Sequence, residues 1–110
     1  GILGRSDDMK LIRGTNVYPR AVEAIVREYP QIDEFQIVLW RKDNVQDEIT
    51  VKIEIKQAHE ADTYSVLHDL GGDLARNHEG LRFNVDAVDH GTLPRFELKA
   101  KRLVDERRLG

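Results

Sequence analysis

Ile49, Val51, Ile53 and Ile55 stand at every second position and alternate with Thr50, Lys52, Glu54 and Lys56. Successive side chains of a strand point to opposite faces, so this run demands a sheet with one dry face and one wet face. The preceding run, 34–42, is rich in β-formers (Phe35, Ile37, Val38, Leu39, Trp40) and leads into Asp43-Asn44, a turn signal. The two runs predict a hairpin around residues 43–47.

A dry sheet face needs a cover, and two stretches have helical periodicity. Val22, Ile25, Val26 and Tyr29 recur at i, i+3, i+4 and i+7. Pro19 suits the first helical position, and Pro30 ends the helix near Tyr29. After a connector at 58–61, Asp62 or Thr63 can cap a second helix that buries Val66, Leu67, Leu70 and Leu74. Gly71 and Gly72 weaken that helix by about 1 kcal/mol each relative to alanine. Either packing compensates for them or the helix breaks there.

A short strand is predicted over 8–13, ended by Gly14, with a loop over 15–18. Gly80 stops the second helix after His78, and Phe83, Val85 and Ala87 alternate as a further strand. An irregular segment begins at Thr92-Leu93-Pro94, and 100–108 is predicted as a short, charged terminal helix. The order is βαββαβ plus a C-terminal tail. The expected class is α+β, an antiparallel sheet with both helices on one face.

The length of 110 residues fits one domain, here 1–110. A net charge of -3 and a pI near 5.8 give no field that would draw the chain onto nucleic acid or an anionic membrane. The absence of cysteine excludes disulfides, thiolate catalysis and cysteine-based metal sites. No apolar run approaches the roughly 18 residues of a membrane span, and the N-terminus lacks a signal-peptide pattern. A cytoplasmic protein is expected.

The βαββαβ order raises an RNA-recognition module, but the wet face of the alternating strand carries Thr50, Lys52, Glu54 and Lys56 where such a module stacks bases on aromatics. Trp40 reads as core, or as a half-buried partner of the open sheet face, ahead of a stacking residue. His59, His68, His78 and His90 show no HxxxH pairing and no partner carboxylates at helical spacing on a shared face, so no metal site is expected. No GxSxG, GxxxxGK[ST] or GxGxxG motif is present.

Two stretches resist so plain a reading. Gly4-Arg5-Ser6-Asp7-Asp8-Met9 precedes an apolar run interrupted by Gly14, in the pattern of a moving part. The chain begins almost on this segment, which suggests a fragment of a larger enzyme. At the other end, Leu93-Pro94-Arg95 is followed by Lys99-Ala100-Lys101-Arg102, a basic run that alone would be a solvated face.

Together these stretches carry a resemblance. Ile2-Leu3-Gly4-Arg5-Ser6-Asp7-Asp8-Met9, with Ile12-Arg13-Gly14 and Asn16-Val17-Tyr18-Pro19, resembles the start of the C-terminal domain of phenylacetate–coenzyme A ligases, in the AMP-forming acyl-CoA synthetase superfamily. Leu93-Pro94-Arg95 with Lys99-Ala100-Lys101-Arg102 is similar to that superfamily's C-terminal lysine motif. The resemblance implies a two-step reaction in which ATP and an aryl acid give an acyl-adenylate and pyrophosphate, and the CoA thiol then displaces AMP. ATP, with Mg2+, and CoA would be substrates. The partner would be the chain's own N-terminal domain, which would hold the acid and nucleotide, so these 110 residues alone would be inactive and bind none of them tightly.

Residue by residue, the resemblance makes Asp7 the hinge of a linker over 1–7 and Lys99 the lysine that reaches the reacting carboxylate and α-phosphate. Gly14 and Arg13 fall in the loop that lines the approach of the CoA thiol. Gly14 also reads as a plain turn glycine, and Arg5 either contacts nucleotide or pairs with a neighbouring carboxylate. Phe96 and Leu98 stand where the family has a small hydroxyl residue and a glycine, which leaves Lys101 as a rival to Lys99. The alternative class is a stand-alone βαββαβ module that binds a small molecule or dimerises.

Overall fold

The chain runs β1 (Lys10–Ile12), β2 (Thr15–Val17), α1 (Pro19–Val26), β3 (Ile32–Lys42), β4 (Gln46–Ile55), a 3-10 helix (Gln57–Asp62), α2 (Thr63–Arg76), β5 (Asn84–Ala87) and β6 (Leu103–Asp105). These elements come from a computed structural model that describes residues 9–95 and 102–107. β3 and β4 form the predicted hairpin, in the register Phe35↔Ile53, Ile37↔Val51 and Leu39↔Ile49. That register stacks apolar residues in pairs on the dry face. Asp43 and Asn44 both take positive φ, and the Val45 N–H donates to the Lys42 carbonyl at 2.9 Å. This mirror-image turn matches the right-handed twist of the strands it joins.

The α+β class stands, and the topology refines it in three places. First, the main sheet has the order β5-β4-β3-β6 and is mixed, because β5 runs parallel to β4 and β6 parallel to β3. Second, the predicted terminal helix is corrected to β6, where Leu103 and Val104 pair with Ile37 and Val38. An unpaired β3 edge offers hydrogen-bonding groups that outweigh the local helical preference of a charged segment. Third, the predicted loop at 15–18 contains β2, which pairs with β1 in a separate two-stranded sheet.

Both helices bury against the dry face. Val22 and Val26 of α1 and Val66, Leu70 and Leu74 of α2 join Phe35, Ile37, Leu39, Ile49, Val51 and Ile53 in one core. α1 ends at Val26, and Tyr29, just beyond it, donates its hydroxyl proton to Asp73 of α2. Burial and then this bond push the Tyr29 phenol above its ordinary range. His78 is a packing histidine: its Nδ1 lies 2.7 Å from the Leu74 carbonyl oxygen and its ring 5.0 Å from that of Phe83. Among the described residues no helix is long and apolar enough to cross a membrane.

α2 continues unbroken through Gly71 and Gly72. Among the described residues, a Cβ at position 71 would meet only Val85 Cγ2, at 3.8 Å, an ordinary van der Waals distance. Gly71→Ala is therefore expected to stabilise the domain by about 1 kcal/mol. Thermal denaturation should show a midpoint raised by about 4 °C or more; a lowered midpoint would mean that α2 needs a glycine there.

Candidate functional site

The β1–β2 hairpin is a plug with an exposed tip. Ile12 and Val17 are buried in the main core, whereas Leu11 and Tyr18 are 54% and 47% exposed. Its two-residue turn is Arg13-Gly14, with φ of 47° and 83°. Such a turn requires left-handed backbone at both positions, which glycine adopts freely and arginine adopts at a cost. Among the described residues, a Cβ at position 14 would meet nothing within 4 Å. Among them Gly14 therefore supplies conformation, and none of them fills the space around it.

Arg13 folds from the tip towards the open face of the main sheet. Its Nη2 donates to the Arg82 carbonyl at 3.4 Å and lies 3.9 Å from Glu48 Oε1. Burial pushes the Glu48 carboxyl up, but hydrogen bonds from Gln46 and Asn84 and the Arg13 charge hold it below the usual carboxylate range. Arg13 closes one side of a cleft lined also by Trp40, Thr50 and Asn84. Trp40 is half-buried there and donates its indole N–H to Thr50 Oγ1 at 2.9 Å, in line with the open-face reading.

Arg107 fixes the hairpin to the sheet. Its guanidinium reaches Asp47 Oδ2 at 2.8 Å, Asp105 Oδ1 at 3.0 Å and the Leu11 carbonyl at 3.0 Å, so β1, β4 and β6 are tied at one point. Arg41 adds a bond to Asp47 at 2.7 Å. Arg41, with Arg107 behind it, holds the Asp47 carboxyl below its ordinary range; Arg107 does the same for Asp105. A carboxylate with a depressed folded pKa contributes stability that is fully present above the unfolded value near ~3.9 and is lost as pH falls through the folded one. Arg107→Ala is expected to lower stability at pH 7 by about 1–3 kcal/mol. It should also flatten the loss of thermal midpoint as pH falls below about 4, where the carboxylates of the native pairs begin to take up protons. An unchanged acid slope in thermal denaturation would remove this network from the account.

The opposite end of the sheet carries a second cluster. Glu34 and Glu54 are cross-strand partners, 7% and 0% exposed. Glu54 accepts the N–H of Gly91 at 3.0 Å and of Leu93 at 2.6 Å, and pairs with Arg95 at 2.9 Å. Burial pushes the Glu54 carboxyl up, and these three donors outweigh it and hold the group below the usual range. Glu34 accepts from Arg102 at 2.8 Å, and Arg102 also lies over the Phe35 ring, 4.8 Å from its centroid. His90 and Arg95 reach Asp33 at 2.9 and 3.6 Å. Glu48, beside the hairpin tip, and Glu54 are six residues apart on β4, about 20 Å at ~3.3 Å per residue.

Asp33, Glu54 and His90 bring ligating atoms within 4.8 Å of one another, a convergence that linear spacing did not reveal. The Arg95 guanidinium already sits against both carboxylates, so the positive charge there is supplied by the chain. These residues do not fit the Mg2+ that would accompany ATP.

Of the residues singled out from sequence, Arg13 and Gly14 stand together at the hairpin tip. Arg5, Asp7, Phe96, Leu98, Lys99 and Lys101 lie outside the described residues. The described neighbours of 96–101 are Arg95 and Arg102, each held by a buried glutamate. Sequence reasoning missed those glutamates: alternation assigned Glu54 to a wet face, and residues 91–95 cover it.

With the fold and these anchors in place, the family follows. The chain belongs to the AMP-binding enzyme C-terminal domain family, whose pattern matches residues 14–107. Phenylacetate-coenzyme A ligase of Thermus thermophilus is 35% identical over 97% of this chain, and the chain spans only 28% of that relative's length. The crystal structure of a domain of phenylacetate-coenzyme A ligase from Bacteroides vulgatus shares the fold, with a TM-score of 0.79 at 24% identity over 94% of this chain and 96% of that one. A 2-hydroxyisobutyryl-CoA ligase in a postadenylation complex with R3-HIB-AMP superposes with a TM-score of 0.76 at 28% identity, over 97% of this chain and 23% of its own.

Proposed function

We propose that this chain is the mobile C-terminal domain of a cytoplasmic, AMP-forming aryl-acid CoA ligase, with phenylacetate the first acid to try. The observation that carries the reading is the 35% identity over 97% of the chain to a phenylacetate-coenzyme A ligase. An N-terminal domain would hold ATP and the acid. In the first step a carboxylate oxygen attacks the α-phosphorus and the bond to pyrophosphate breaks. In the second, the CoA thiolate attacks the acyl carbon and the bond to AMP breaks.

Lys99 serves the first step. Negative charge builds on the phosphorus centre in a closed site, and a lysine ammonium is a compact cation on a flexible stem that can be delivered there. Gly14 and Arg13 serve the second step, as the exposed turn beside the thiol's path. Asp7 is the pivot between the two presentations, and Arg5 a nucleotide contact. The separation of about 20 Å along β4 between Glu48, beside the hairpin tip, and Glu54, which holds Arg95, supports this division, because two such distant parts enter one reaction centre only in turn. Pyrophosphate release by the full-length protein, given ATP, Mg2+ and a panel of aryl acids, tests the reading. Release with at least one acid is expected, and none with any acid overturns it.

A further inference from the structure

Glu34 and Glu54 face one another across β3 and β4, both buried and both acidic. Like charges placed directly opposite destabilise a sheet, and a buried carboxylate is costly unless donors surround it. Each therefore calls for a compensating cation. The two cations that supply it are Arg95 and Arg102, the described residues on either side of 96–101. Glu54 further collects the N–H groups of Gly91 and Leu93, so the backbone leading to Arg95 is fixed as well as its side chain.

We propose that the Glu34–Glu54 pair acts as two anchoring posts for the lysine-bearing stretch, with Arg95 and Arg102 as the tethers, making these four residues positioning residues for the adenylation half-reaction. The inference rests on Lys99 being the adenylation lysine. Two ion pairs to the sheet fix the chain at Arg95 and again at Arg102. A displacement of about 1 Å at a reacting group can cost up to ~10²-fold in rate, so loosening one post should be felt at the lysine.

The test uses the full-length protein with Glu54→Gln, Arg95→Gln, Lys99→Ala and the double variant Glu54→Gln/Lys99→Ala. Arg95 is 48% exposed at its side chain and its replacement leaves Glu54 the N–H donors of Gly91 and Leu93, so this variant keeps the fold if altering the fully buried Glu54 itself harms the other. Acid-dependent pyrophosphate release and thioester formation from supplied acyl-adenylate are measured separately. Glu54→Gln and Arg95→Gln are each expected to lower adenylation kcat by about tenfold or more while KM for ATP and the thioester step stay within about twofold. The double variant should match Lys99→Ala alone, because the post acts only through the lysine. Equal loss of both half-reactions would mark a purely structural role and overturn the proposal. Full multiplication of the two effects in the double variant would also overturn it. Should Lys99→Ala cripple adenylation while both single anchor variants keep it, the anchors fail and the function stands. Should Lys99→Ala leave adenylation intact, the lysine assignment fails and the anchors fall with it.

Discussion

In the full-length protein, Lys99→Ala is expected to lower acid-dependent pyrophosphate release by about 10²–10³-fold, the usual consequence of deleting one preorganised donor from a charged transition state. The attacking carboxylate and the phosphoryl oxygens are all anionic, so no neutral side chain at this position replaces what an ammonium supplies. Lys101→Ala serves as the internal comparison, because it removes the same charge two residues away. It should keep adenylation within about threefold of wild type. If the large loss falls on Lys101 instead, Phe96 and Leu98 have shifted the reach of the motif, and the catalytic assignment moves with it.

Gly14→Asn is expected to have the opposite selectivity. Asparagine enters left-handed backbone more readily than most residues with a side chain, so it accommodates a φ of 83° at small conformational cost. Space is not limiting among the described residues either, since a Cβ there meets none of them within 4 Å. Any obstruction the side chain creates is therefore felt by whatever approaches the turn from outside. The CoA-dependent step should fall by about tenfold or more with adenylation nearly unchanged, in keeping with removal of an interaction made in one transition state only. Unchanged thioester formation would reduce Gly14 to a turn glycine.

How much of this was legible in the sequence depended on the range over which each feature is determined. The β3–β4 hairpin follows from strict alternation and from Asp43-Asn44, because period and turn chemistry are both local. α2 was legible too, although its two glycines left open whether it broke; unbroken packing through Leu70 and Leu74 decided that. β6 was not legible. Leu103-Val104-Asp105 is three residues long among charged neighbours, and it is a strand only because β3 has an edge to offer. Glu54 was misread for a related reason. Alternation fixes which face a side chain takes, but the groups that bury it are Gly91 and Leu93, 37 and 39 residues further along. The candidate site was half legible: Gly14 announced a turn, whereas Arg107, which ties that hairpin to the sheet across 96 residues, left no local signal.

The central claim is that one small domain presents different parts of itself to two successive reactions. It is tested most directly by giving the full-length Lys99→Ala protein a preformed acyl-adenylate and CoA and following thioester formation. The account predicts a rate within about twofold of wild type, since the lysine belongs to the other presentation. A rate depressed as far as adenylation would contradict it, placing Lys99 in both steps.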